Sequence, residues 1–155
     1  MPSRRFDWHE HLSSVAREYA ATRLAVDRFQ ADIVAEPDLV PEKSKLRKDL
    51  RNADANLEGT YIVRLFAAFE AALRSYDRAQ HHDPTRASDA STLIDQIGRR
   101  HGCRIDAIVR QHAQEVRRVR NYWAHESDEN PGAMPITEVS ARLQAYLSKL
   151  PPEWG

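Results

Sequence analysis

Tyr61-Ile62-Val63-Arg64-Leu65-Phe66-Ala67-Ala68-Phe69-Glu70-Ala71-Ala72-Leu73-Arg74-Ser75-Tyr76 is the most apolar stretch of this chain. Ile62, Leu65, Phe66, Phe69, Leu73 and Tyr76 recur at intervals of three and four, which on a helix makes one broad apolar face. A face that wide suits contact with several neighbouring helices, so this is the expected central helix. Glu70 adjoins Phe66, Phe69 and Leu73 and is expected to be partly buried, where a carboxylate needs a partner. Arg74 stands at the favourable four-residue spacing on the same helix. Arg120, from a distant stretch, is the preferred partner.

Upstream, Trp8, Leu12, Val15, Tyr19, Val26, Phe29 and Ile33 alternate four- and three-residue steps, with polar Thr22 in the gap. They predict a long amphipathic helix that Pro37 ends. Pro41 sits where a second helix can begin, with Glu42 in its first turn. From Glu42 to Asn56 the chain is highly charged, and Leu46, Leu50, Ala53 and Leu57 leave only a narrow apolar stripe. Gly59 marks either a break or a tolerated weak point before the central helix.

Downstream, Ala79 to Arg86 reads as a loop because Pro84 forbids continuing the helix, with a mobile loop expected around His81 to Ser88. His81-His82-Asp83 are adjacent loop side chains without further ligands, which makes a poor metal site. Ser88 or Asp89 can cap a short helix through Leu93, Ile94 and Ile97 that Gly98 ends. His101 and Cys103 lack companions for a zinc site. Another helix starts near Asp106, with Ile105, Val109, His112, Val116, Val119 and Trp123 as its inward seam and His112 as a core histidine. Asn130-Pro131-Gly132 is a turn. Pro135 opens a last helix that buries Ile136, Val139, Leu143, Tyr146, Leu147 and Leu150, and Pro151-Pro152 stops it before a short tail. The pattern predicts an all-α antiparallel bundle of about five helices, with residues 1–155 as one domain.

With 23 Lys and Arg against 23 Asp and Glu, the chain is no polycation, so its charge must be read locally. Arg99, Arg100, Arg104, Arg110, Arg117, Arg118 and Arg120 fall within 22 residues, opposed only by Asp106 and Glu115. The single Cys103 excludes an intramolecular disulfide, no apolar run approaches a membrane span, and the N-terminus lacks a signal-peptide core. A cytoplasmic protein is expected.

That arginine run leads into Arg120-Asn121-Tyr122-Trp123-Ala124-His125. Asn121 and His125, four apart, share one helix face, and Arg118 joins it seven residues before His125. Arg120 falls about 140° round from His125, beside Val116, Val119 and Trp123. It must reach round on its long stem or be held against the core. A guanidinium, an amide and an imidazole at one site suit work on a phosphate: the first binds its oxygens in a fork, the last moves a proton near neutral pH.

The stretch from Arg120 to His125 resembles the R-x4-6-H signature of HEPN domains, in the form where Asn follows the Arg. Tyr61 to Leu73 is similar to the apolar helix with an internal Glu of several prokaryotic branches. The resemblance implies a HEPN-like helical fold that dimerises. It also implies a metal-independent endoribonuclease of toxin–antitoxin or phage-defence type, acting on RNA by attack of the ribose 2′-hydroxyl at a composite dimer site. Arg120, Asn121 and His125 would be catalytic, Glu70 supporting, and Arg117 and Arg118 RNA-binding. No metal and no cofactor are implied. A homodimer is expected, together with an antitoxin of nucleotidyltransferase or other type. The alternative is a non-catalytic HEPN-like module that binds nucleotide, RNA or protein.

Overall fold

The computed structural model describes residues 4–100, 103–125 and 130–154. It is an all-α bundle of five helices: α1 (Arg5–Ala35), α2 (Lys45–His81), α3 (Ala90–Arg99), α4 (Ala107–His125) and α5 (Ile136–Leu147). Among the described residues no strand forms, and no helix is long and apolar enough to cross a membrane. His101 lies outside the described residues.

One buried cluster draws on all five helices and is centred on the predicted face of α2, where Leu65, Phe66, Phe69 and Leu73 are fully buried. Tyr146 of α5 stacks edge-on against Phe69 with centroids 5.4 Å apart and donates to the Ile94 carbonyl at 2.7 Å. That single side chain therefore joins α2, α3 and α5.

The two long helices run antiparallel. Tyr19 meets Tyr61, Thr22 bonds to the Tyr61 hydroxyl at 3.0 Å, and Arg23 reaches Asp54 at 2.5 Å. At 1.5 Å per residue α1 and α2 extend about 46 and 55 Å, further than the three shorter helices can cover. The distal part of this hairpin consequently leaves Leu24, Val34, Leu39 and Leu46 in solvent. Of the narrow stripe expected there, Leu46 and Ala53 are exposed, and Leu50 and Leu57 are half-buried.

Local differences from the sequence pattern have physical causes. Pro41 opens a turn, not a helix. The Ser44 hydroxyl accepts from the Arg47 amide at 3.2 Å and donates to the Pro41 carbonyl at 2.6 Å, so Ser44 is the cap and α2 starts at Lys45. Gly59 makes no break, and α2 passes through it unbroken. The loop after α2 is pinned by buried Asp77, which accepts from Arg86 at 2.6 Å and from Arg100 at 3.3 Å. Trp154, expected in a free tail, is buried against Tyr76 and donates to the Ser75 hydroxyl at 3.1 Å.

Candidate functional site at the C-terminal end of the fourth helix

The seam of α4 is set by Ala113, Val116 and Val119, which are buried against the rest of the bundle. That register leaves Arg120 at the edge of the core. Its guanidinium lies over the ring of Phe66, 5.5 Å from the centroid, and its Nη1 donates to Asn121 Oδ1 at 3.0 Å. Its Nε is buried and has no acceptor among the described residues. Arg120 is thus held against the core by an aromatic face and an amide, with no acidic partner among the described residues.

Glu70 is not its partner. It is partly buried as expected, but it accepts from Arg74 at 2.5 Å on its own helix. The four-residue spacing lets that pair form with little extra ordering, whereas Arg120 lies on another helix and faces Phe66. The expected pairing of Glu70 with Arg120 is therefore corrected.

His125 is the last residue of α4 and is exposed, as is Arg118; neither has a partner among the described residues. Arg117 turns toward α3: its Nε donates to Gln114 Oε1 at 2.8 Å, and Gln114 in turn donates to the Ser91 carbonyl. Of the two arginines expected to touch RNA, Arg118 alone is uncommitted. Arg120 and Asn121 are brought into direct contact, and His125 follows one turn on.

Further back, Arg99, Arg100, Arg104 and Arg110, with the single acid Asp106, line a cavity of about 790 Å³ at the start of α4. Arg100 is committed to Asp77, but Arg99, Arg104 and Arg110 have no acidic partner among the described residues. Elsewhere several arginines are paired with acids, as in Arg64–Glu18, Arg142–Glu138 and Arg23–Asp27. In a chain with equal numbers of cations and anions, these free guanidiniums mark the surface that favours a polyanion. Cys103, by contrast, is buried, and burial pushes its thiol above the usual range, away from thiolate chemistry.

Sequence reasoning passed over two features. Phe66 counted as one apolar residue among six, yet it is the platform for Arg120. Trp123, placed on the inward seam, packs instead on Gly59 and remains 38% exposed. A Cβ on Gly59 would lie 2.2 Å from Trp123 Cδ2, so glycine is what lets α2 and α4 approach here. The glycine and the tryptophan were both visible, but nothing in the sequence pairs them. No family model, no curated protein and no solved structure matches this chain.

Proposed function

We propose that this protein is a metal-independent endoribonuclease of HEPN type, working as a homodimer on cytoplasmic RNA in a toxin–antitoxin or phage-defence setting. The observation that carries the reading is the end of α4. An arginine held over Phe66 and bonded to Asn121 stands five residues before an exposed histidine that has no partner among the described residues.

In this reading His125 takes the proton of a ribose 2′-hydroxyl, whose oxygen attacks the adjacent phosphorus. The bond from phosphorus to the 5′-oxygen breaks, leaving a 2′,3′-cyclic phosphate and a 5′-hydroxyl. Arg120 offers N–H donors to the charge that grows on the phosphate oxygens, and Asn121 keeps the guanidinium in place. Arg118 holds the RNA backbone, and Arg99, Arg104 and Arg110 extend the cationic surface along it. Arg117 contributes through Gln114, not by direct contact. Glu70 acts only through the packing of α2.

The departing 5′-oxygen needs a proton while the attacking hydroxyl loses one, and each chain offers one histidine at this place. A two-fold axis near the end of α4 would set two His125 side chains in one cleft. Sedimentation velocity at micromolar concentration is expected to show a dimer; a monomer throughout would contradict the composite site. An antitoxin, of nucleotidyltransferase type or another, would cover the same cleft.

The function itself is tested with one oligonucleotide in two forms. An all-ribose strand should be cut, and its counterpart with a 2′-deoxyribose at the cleaved position should bind equally and stay intact. Cutting of both at one rate would remove the 2′-hydroxyl from the mechanism.

A further inference from the structure

We propose that the groove between the middle of α2 and the last turn of α4 is a nucleobase subsite for the RNA; this rests on reading the end of α4 as an RNA-cleaving site. The groove has a volume of about 780 Å³ and is lined by Asn56, Thr60, Arg64, Tyr122, Trp123 and Ala124, among others. Ala124 immediately precedes His125, so the groove ends one Cα step, about 3.8 Å, from the proposed proton carrier.

Three features suit a base. First, Trp123 is a preformed platform. Its indole is packed on the backbone at Gly59 and braced by Tyr122, with ring centroids 5.6 Å apart, yet it stays partly exposed. A base stacking on it meets a ring whose freedom is already restricted. Second, the exposed amide of Asn56 has no partner among the described residues, and it offers the paired donor and acceptor that a base edge presents. The Thr60 hydroxyl donates to the Asn56 carbonyl at 2.9 Å, which turns its oxygen into a further acceptor on the same wall. Third, the cation on the wall is already neutralised. Arg64 pairs with Glu18 at 2.7 Å and lies over the Tyr61 ring. The groove therefore favours a flat, uncharged, hydrogen-bonding ring, and the phosphates are left to Arg118 and Arg120. Single-stranded RNA is read this way, by stacking on aromatic side chains and bonding along base edges.

The test measures binding of the uncleavable 2′-deoxy oligonucleotide, cleavage of its all-ribose form, melting temperature and sedimentation for Trp123→Ala, Trp123→Phe and Asn56→Ala. Trp123→Ala is expected to weaken binding tenfold or more and to raise KM more than it lowers kcat. Trp123→Phe should restore most of that loss. Asn56→Ala, on an exposed and unpartnered residue, should leave melting unchanged and alter the preference among bases at the cleavage position. If both alanine variants bind and cleave like wild type, the subsite is wrong while the ribonuclease reading stands. If Trp123→Ala instead loses the dimer, with its residual RNA affinity unchanged, the groove is a protein interface and the subsite falls. If wild type binds the oligonucleotide through Trp123 and cuts nothing, the ribonuclease reading falls and the subsite stands.

Discussion

His125→Ala is expected to slow RNA cleavage by about 100- to 10,000-fold, the usual contribution of a positioned acid or base. Its stability should remain within about 0.5 kcal/mol of wild type, the range for surface changes that break no contact. The expectation follows from position: His125 is exposed at the end of α4 and has no partner among the described residues. RNA affinity should change little, since the phosphate contacts are assigned to arginines. Turnover, equilibrium binding and thermal melting, measured on the same variant, separate the outcomes. A variant that cleaves like wild type, or that fails only because it unfolds, would return the protein to the binding-module reading.

Arg120→Ala should lower cleavage by about 100- to 1,000-fold, the effect of removing one preorganised donor from a developing oxyanion. The structure changes what else this variant should do. Had Arg120 been the partner of a fully buried Glu70, its loss would have stranded a carboxylate, at a cost of about 3–5 kcal/mol. Because Arg74 satisfies Glu70, the expected loss is that of the contact with Phe66, about 1 kcal/mol. In a chain of this size that shifts melting by roughly 2–4 °C. Arg120→Lys should not rescue activity, since an ammonium can neither lie flat on Phe66 nor fork to a phosphate. Full activity in Arg120→Lys, or a fall in melting several times larger, would show that Arg120 only braces the helix end.

How far the sequence disclosed this arrangement depended on which interactions are local. The period of α4 placed Arg120 beside Val116 and Val119 and His125 on the solvent side, and that reading needs only helix geometry. The same holds for the apolar face of α2, whose predicted members are buried. What was hidden depends on pairs of distant residues. Gly59 reads as either a break or a tolerated weak point, and its opposite number, Trp123, lies 64 positions on in the chain. Glu70 had two arginines in prospect, and only the fold shows that one of them is turned toward Phe66. The burial of Asp77 likewise depends on distant residues, since Arg86 and Arg100 close over it. Trp154, two residues beyond a proline pair, had no periodicity to announce its burial against Tyr76.

The exposed half of the α1–α2 hairpin shows the converse. Its spacing is as regular as that of the buried half, but Phe29 and Leu46, which lie on that spacing, are left exposed. Periodicity states which side of a helix is apolar, and the length of the neighbouring helices decides how much of that side is covered.

The most direct measurement is the chemistry of the product ends. Purified wild-type protein, held in excess chelator, is given an RNA oligomer and the fragments are identified by mass. Arg120, Asn121 and His125 acting without a metal should yield 2′,3′-cyclic phosphate and 5′-hydroxyl ends at an undiminished rate, and His125→Ala should yield almost none. Cleavage that stops in chelator and returns with magnesium or manganese, or that leaves 5′-phosphate ends, would contradict the proposed site.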